Sequence, residues 1–115
     1  MDNKNLPLTE ALFYILLATR RPVHGYGIIQ EVNALTSGRV NLGPGTLYGA
    51  INTLLDRKWI ELYSAEEGSR KKKEYLITAT GRDAFRCEIA RLNELTENGK
   101  LMEESYGAKK IQTSF

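Results

Sequence analysis

The fold is decided by residues 41–57, which read NLGPGTLYGAINTLLDR. Apolar residues recur there at i, i+3, i+4, i+7 and i+8, which is the spacing of one stripe on an α-helix of about 3.6 residues per turn. The pattern predicts a helix with one face in the core. The members of the stripe are Leu47, Ala50, Ile51, Leu54 and Leu55.

The opposite face of this predicted helix is small and polar. Pro44 suits the first turn, where its missing N–H costs nothing and the free N–H groups favour an anion such as a phosphate. Such a face fits a groove, although taken alone the same residues also fit a solvated surface helix. The outer face and its flanks, found by a step of about 100° per residue, hold Gly45, Thr46, Tyr48, Gly49, Asn52, Thr53 and Asp56.

Composition indicates one globular domain: the chain has 115 residues, 42% hydrophobic and 26% charged. It has neither a membrane-spanning apolar run nor a secretory leader pattern, so we expect a cytoplasmic protein without a membrane partner. With Cys87 and His24 as its single cysteine and histidine, we expect no internal disulfide, metal or cofactor. No nucleophile–base pair and no phosphate-loop Gly-Lys-Ser/Thr is evident, so no catalytic residue and no enzyme is predicted.

The net charge is mildly positive, at +2 with a pI of 8.7, which is below the values of many nucleic-acid binders. Its distribution is uneven. Residues 1–82 carry 11 Lys/Arg against 8 Asp/Glu, whereas residues 83–115 carry 5 against 6. The positive charge therefore belongs to the first two-thirds of the chain.

Residues 6–19 predict a first helix that is apolar on more than one face. Phe13 and Leu17 fall outside its core stripe, and such a helix needs a second surface to pack against. Dimerisation is the first expectation. The core stripe consists of Leu8, Ala11, Leu12, Ile15 and Leu16.

After a connector at residues 20–23, residues 24–36 predict a second helix that ends at Ser37-Gly38, with Gly38 in the left-handed cap. Gly25 and Gly27 cost about 1 kcal/mol each in a helix, and close approach of another backbone, protein or DNA, would explain them. His24 either contacts a phosphate or caps the helix; His24 and Gly25 are therefore candidate DNA-backbone contacts. The positions predicted to be buried are Tyr26, Ile29, Val32 and Leu35.

A β-hairpin is predicted after the groove-facing helix, with strands at residues 59–64 and 73–77 and a turn at 65–69. Two short helices joined by a turn and followed by this hairpin have helix-turn-helix order with a wing. Four adjacent cations are often only a solvated turn, and nearby glutamates partly neutralise them, but their place directly after the groove-facing helix favours contact with phosphates. The candidate wing residues are Ser69, Arg70, Lys71, Lys72 and Lys73.

A last helix is predicted from about Arg82 to Asn98, with a threonine of residues 78–81 as N-cap and Asn98-Gly99 as the stop. Its apolar residues follow the 4-3-4 spacing of a coiled-coil seam, which packs on its own domain or on a partner. Residues 6–78 would then form the winged helix-turn-helix domain, 79–99 a dimerisation helix, and 100–115 a weakly ordered tail. The predicted dimerisation residues are Phe13, Leu17, Phe85, Ile89 and Leu92.

Three blocks resemble the signatures of the PadR family of bacterial transcriptional regulators: HGYGI at 24–28, GPGTLYGAI at 43–51 and EYLITATG at 74–81. The resemblance covers roughly residues 8–95, and the middle block is the most specific. Two positions depart from the family pattern. Lys58 stands where a glycine usually ends the groove-facing helix, so that end needs another cap, and Ala79-Thr80 replaces a charged pair.

The resemblance implies a mainly helical winged helix-turn-helix protein, a homodimer that binds double-stranded DNA at a palindromic operator, usually as a repressor. Thr46, Tyr48 and Asn52 match the family's DNA-reading helix, and residues 69–73 match its wing. Release by a small molecule or another signal is implied as well.

Some family members hold flat hydrophobic compounds with a tryptophan between their dimerisation helices. The only tryptophan here, Trp59, lies outside that helix, so a smaller effector at the dimer interface, or none, is expected. The short predicted last helix fits the compact form of the family, in which the first and last helices intertwine across the dimer. The rival interpretation is a winged-helix protein-interaction module anchored by Tyr48, which gives no reason for four successive cations.

Overall fold

The computed structural model describes residues 5–65 and 73–110. These ranges form a mostly helical molecule with one small antiparallel sheet, and the molecule measures 67 × 33 × 21 Å. Along them, no helix is both long and apolar enough to cross a membrane. The elements are α1 (Glu10–Ala18), β1 (Val23–His24), α2 (Gly25–Leu35), α3 (Pro44–Asp56), β2 (Ile60–Ala65), β3 (Lys73–Ile77) and α4 (Ala79–Lys110).

Helix α1 begins later than residue 6, the start predicted for the first helix. The Thr9 side chain accepts a hydrogen bond from the N–H of Leu12 at 3.1 Å, and this N-cap sets the start at Glu10. Leu8 is still buried, although it precedes the helix. Ile15 and Leu16 are fully buried, as the core stripe predicts.

Helix α2 buries a different face from the predicted one. Ile28 and Val32 are fully buried, whereas Tyr26 and Leu35 are exposed, so the prediction for those two was wrong. The buried face is centred on Ile28 and continues through the buried backbone of Gly25. A pattern based on side-chain hydropathy does not count a glycine as a packing surface.

Both helices that flank the turn end in the left-handed conformation. Gly38, with φ 82°, adopts it as predicted, and Ser37 joins it at φ 52°. At the end of α3, Lys58 has φ 63°, and the N–H groups of Lys58 and Trp59 donate to the carbonyls of Leu55 and Leu54, both at 3.0 Å. These are the two hydrogen bonds of a Schellman motif, so a lysine caps the helix in the backbone shape that usually selects glycine.

The sheet has the order β1-β3-β2, with both pairs antiparallel. Strands β2 and β3 are the predicted hairpin. Strand β1 lies partly in the predicted connector, and the sequence did not reveal it. Val23 pairs with Tyr75, and His24 pairs with Glu74. This pairing joins the start of α2 to the second arm of the hairpin.

Helix α4 is far longer than predicted. Thr78 is the predicted N-cap: its side chain accepts from the N–H of Gly81 at 3.0 Å. The predicted stop at Asn98-Gly99 is wrong, because the helix has 32 residues and continues to Lys110. One glycine costs about 1 kcal/mol, which strong helix formers on both sides outweigh. Residues 100–110 of the predicted tail are therefore helical, and at 1.5 Å per residue the helix is about 48 Å long, which contradicts the expected short helix.

A buried carboxylate holds α4 against the segment before α1. Glu88 is 2% exposed and accepts hydrogen bonds from the N–H of Leu8 at 3.0 Å and from the Arg91 guanidinium at 2.7 and 2.8 Å. The hydrogen bonds from Arg91 contribute most to lowering the pKa of Glu88, the Leu8 N–H adds to them, and burial opposes both. Because Glu88 lies on the predicted seam helix as a charged residue, sequence patterning gave no sign of this role.

Candidate nucleic-acid interface

The outer face of α3 is exposed from Gly45 to Asp56, except at Thr53, which is half-buried. Leu47, Ile51 and Leu54, on the other side of the helix, are fully buried in the core, and this fixes which residues point outward. The structure thus brings the candidate recognition residues to one surface. They are Gly45, Thr46, Tyr48, Gly49 and Asn52.

Two glycines make this face unusually flat. A Cβ atom added at Gly45 or at Gly49 would meet no heavy atom within 4 Å, so internal packing does not require glycine at either position. A glycine inside a helix costs up to about 1 kcal/mol relative to alanine. Internal packing gives no reason for the two glycines, whereas a partner that approaches the helix backbone closely would give one.

Tyr48 packs against Gly25 of α2 at one end of the face. A Cβ at Gly25 would overlap the Tyr48 hydroxyl and lie 3.3 Å from a Leu47 methyl group, so the packing of α3 on α2 already explains Gly25. The pKa of Tyr75 on β3 is raised, chiefly by burial and secondarily by the nearby Tyr48. Tyr48 is nonetheless 48% exposed, which leaves it reachable from outside.

The polar side chains of α3 differ in whether they are already engaged. The Thr53 hydroxyl donates to the Gly49 carbonyl at 3.2 Å and so is turned back onto its own helix. Within residues 5–65 and 73–110, no hydrogen bond or ion pair uses the side chain of Thr46 or Asn52. Their exposed hydroxyl and amide groups are available to a partner.

His24 caps α2, which was one of its two predicted roles. Its Nδ1 accepts a hydrogen bond from the N–H of Gly27 at 3.1 Å. In the neutral ring the proton must then be on Nε2, a half-buried donor at the end of the interface. Contact of His24 or of the buried Gly25 with a DNA backbone stays a prediction.

Strand pairing brings β3 beside β1, which leads directly into α2. Lys73, the first residue of β3, is exposed and pairs with Ala65, and His24 pairs with Glu74 in the next register position. The other candidate wing residues, Ser69, Arg70, Lys71 and Lys72, lie outside the described residues. Tyr75, which is buried beside this surface, is not among the predicted site residues, although the alternation of buried Tyr75 and Ile77 in β3 is a signal that could identify it.

The predicted dimerisation residues fall into two groups. Phe13 and Phe85 stack on each other within the chain, with ring centroids 4.7 Å apart, and Leu17 is half-buried. Ile89 and Leu92 are each 36% exposed. From residue 92 to residue 106 every side chain of α4 is exposed. The apolar residues there, Leu92, Leu95, Leu101 and Met102, lie on a helix that extends away from the domain.

The sequence matches one protein family, and the fold matches solved structures. The family model described as "Transcriptional regulator PadR-like family" matches residues 14–87. No curated protein matches the chain.

Three solved structures illustrate the shared fold. A PadR family transcriptional regulator from Eggerthella lenta is 23% identical, with a TM-score of 0.67 over 80% of each chain. A PadR-like transcriptional regulator from Bacillus cereus is 18% identical, with a TM-score of 0.63 over 80% of this chain and 88% of that one. RosR of H. salinarum is 18% identical, with a TM-score of 0.62 over 93% of this chain and 99% of that one.

Proposed function

This chain belongs to the PadR-like family of transcriptional regulators, and we propose that it is a homodimeric repressor that binds a palindromic operator and is released by a small molecule or another signal. The observation that carries the proposal is the exposed outer face of α3, where Gly45 and Gly49 leave the backbone bare beside the exposed amide of Asn52. A helix with such a face fits the major groove of B-DNA.

The chemistry of the face assigns different roles to its residues. The amide of Asn52 can make paired hydrogen bonds to the N6 and N7 atoms of an adenine, which is a base-reading contact. Thr46, Tyr48 and the wing cations would chiefly hold phosphates, which fix the register without reading sequence. Gly25 supports this division, because it leaves room for the Tyr48 hydroxyl against α2 before any DNA arrives.

Dimerisation would place two such faces on one duplex. The exposed apolar stripe of α4 supports it, because Leu92, Leu95 and Met102 recur with the 3-residue and 7-residue spacings of a coiled-coil seam. A second copy packed along this stripe would bury those side chains. Two recognition helices about 34–36 Å apart would then enter successive major grooves on one side of the operator.

The releasing signal would act in the cytoplasm, and the proposed location for an effector is the dimer interface. The only tryptophan gives no support for an aromatic sandwich there. Trp59 is 7% exposed, lies after α3, and has the Arg57 guanidinium 4.9 Å from its ring centroid.

The protein-interaction alternative is separated from DNA binding by charge reversal in the wing. We would measure fluorescence anisotropy of a labelled duplex of mixed sequence with the wild type, with Lys71→Glu/Lys72→Glu, and with a control, Lys100→Glu/Lys109→Glu, that changes net charge equally on α4. DNA binding predicts loss of affinity only in the wing variant. It also predicts a wild-type affinity that falls by roughly 10³–10⁵ between about 50 and 200 mM salt, for about six to ten phosphate contacts. Equal affinity of both variants would favour the protein-interaction module.

A further inference from the structure

The direction of α4 is set within its first turns. Phe85 stacks on Phe13 of α1, and Glu88 accepts a hydrogen bond from the N–H of Leu8. Beyond these contacts, every side chain from residue 92 to residue 106 is exposed. The exposed apolar stripe of α4 therefore points in the direction that the start of the helix imposes on it.

The start of α4 is joined to the end of α3 by hydrogen bonds to two carbonyl groups. The Thr78 hydroxyl donates to the Lys58 carbonyl at 2.7 Å, and the Thr78 N–H donates to the Trp59 carbonyl at 2.9 Å. The same hydroxyl accepts a hydrogen bond from the Gly81 N–H at 3.0 Å, as an N-cap of α4 does. We call these four residues, Lys58, Trp59, Thr78 and Gly81, the α3–α4 joint.

Gly81 lets α4 approach the end of α3 at backbone distance. A Cβ atom at Gly81 would lie 2.1 Å from the Trp59 carbonyl oxygen, about 1 Å closer than a carbon and an oxygen can approach. Gly81 is in the first turn of a helix, where any residue can adopt the backbone conformation. The close approach is therefore what requires a glycine.

The Trp59 carbonyl is held in place, so a larger residue at position 81 would displace α4. The Trp59 N–H donates to the Leu54 carbonyl in the cap of α3, and the Trp59 side chain is 7% exposed. Glu88, about 10 Å further along α4, would act as the pivot, so a displacement of about 1 Å at residue 81 is a tilt of about 5°. The same tilt moves residue 104, about 24 Å beyond the pivot, by about 2 Å.

We propose that the α3–α4 joint sets the separation of the two half-sites that the dimer binds, and that Gly81 is the residue that determines it. The inference rests on the proposed binding of a palindromic operator by a homodimer packed through α4. In the frame of the paired α4 helices, the tilt moves each copy of α3 by about 2 Å. Two copies together differ by up to about 4 Å, which is close to the 3.4 Å rise of one base pair.

Thr78 and Gly81 are positioning residues in this proposal, because they act through the direction of α3. A contact that only stabilised the domain would leave both that direction and the preferred half-site separation unchanged in a variant that still folds. These two quantities separate the proposal from a merely structural role.

The direction of α4 is measured on the full chain without DNA, by double electron–electron resonance between two spin labels. One label is at Glu104→Cys, which lies about 200° around α4 from Met102 and so off the apolar stripe. The other is at Asp56→Cys on α3 or, in a second protein, at Gln30→Cys on α2; all three positions are exposed. Two reference positions are used because a tilt toward either side changes at least one distance.

Both labelled proteins carry Cys87→Ala and are mixed with excess unlabelled protein, so that each measured distance lies within one chain. We expect Gly81→Ala to shift at least one mean distance by about 2 Å, with far-UV circular dichroism unchanged. The matched control is Gly107→Ala, which fills open space on the same helix and should shift neither distance. A folded Gly81→Ala protein with both distances unchanged would overturn the proposal.

A second variant keeps the test decisive if Gly81→Ala does not fold. Thr78→Val removes the hydroxyl, and with it the hydrogen bonds to the Lys58 carbonyl and the Gly81 N–H, at nearly equal volume. It should broaden the distribution of both distances, whereas Thr78→Ser, which keeps the hydroxyl, should not. Equal widths in the two variants would overturn the joint.

Half-site separation is measured by fluorescence anisotropy with unlabelled proteins and the inverted repeat that the wild type enriches from a random duplex library. The repeat is offered at its own separation and at separations one base pair shorter and longer. In Gly81→Ala the preference for the original separation should fall at least about tenfold, because the DNA must otherwise deform. Gly107→Ala should keep the wild-type preference.

The two measurements fail separately. If the label distance shifts and the preferred separation does not, the joint does not set operator spacing and the proposal is wrong. If no protein binds any duplex, the proposed function fails, and the label distances still decide whether Gly81 sets the direction of α4.

Discussion

A side chain added at Gly49 should strengthen the fold and weaken DNA binding at the same time. Gly49 lies inside α3, is exposed, and has open space around the position of a Cβ. In Gly49→Gln the new side chain meets no clash in the monomer and adds a better helix former, so the free energy of unfolding should rise by roughly 0.5 kcal/mol. In the complex the same side chain would stand between the helix and the groove. Overfilling a packed contact costs about 1–3 kcal/mol, so DNA affinity should fall roughly five- to 150-fold.

The matched control is Gly107→Gln. Gly107 also lies inside a helix and also has open space at its Cβ position, but it is on α4, off the outer face of α3 and off the seam spacing of Leu92, Leu95 and Met102. Urea denaturation of both variants should give a similar gain in unfolding free energy. Fluorescence anisotropy at constant salt should show lower DNA affinity for Gly49→Gln alone.

If Gly49→Gln binds DNA as tightly as the wild type, the outer face of α3 does not lie against the duplex. A lower free energy of unfolding in Gly49→Gln would also contradict it, since it would mean that the monomer needs the glycine.

Three further perturbations address other parts of the structure. Lys58→Gly should raise the free energy of unfolding by about 1 kcal/mol, because φ 63° is strained for lysine; an equal gain in Lys58→Ala, measured by urea denaturation, would exclude relief of strain as the cause. Glu88→Gln should lower the free energy of unfolding by about 1.5–3 kcal/mol at neutral pH. The folded-state pKa of Glu88 is lowered, so this stabilisation is present above the usual pKa of a glutamate and is lost as pH falls through the folded-state pKa. The difference in unfolding free energy between the wild type and Glu88→Gln should therefore shrink on acidification, and a difference that stays constant with pH would contradict this role of Glu88. Ile89→Asp should halve the mass in sedimentation with far-UV circular dichroism unchanged; an unchanged mass would remove Ile89 from the dimer interface.

The elements with strong periodicity could be predicted from the sequence. Helix α3 combines a complete apolar stripe with Pro44 at its first position, and both features appear in the structure. The arms of the hairpin follow from β-forming residues on either side of a turn. In each case a local pattern and the tertiary fold favour the same structure.

The remaining features depend on contacts that a one-dimensional pattern does not contain. Strand β1 has two residues and no periodicity, and it exists because β3 lies beside it. The buried face of α2 is set by Gly25 under Tyr48, and the role of Glu88 depends on the distant N–H of Leu8. Helix α4 continues past its predicted end because the helix formers around one exposed glycine outweigh the cost of that glycine.

DNA reading through α3 is tested most directly by selection of bound sites from a random duplex library with the purified protein at about 100 mM salt, where specific contacts outlast weak backbone attraction. A dimer that reads DNA through α3 should enrich an inverted repeat whose half-sites lie about one helical turn, 10–10.5 base pairs, or a multiple of it apart. If no sequence is enriched across several salt concentrations, the chain does not read DNA through α3, and its winged-helix surface must serve a protein partner.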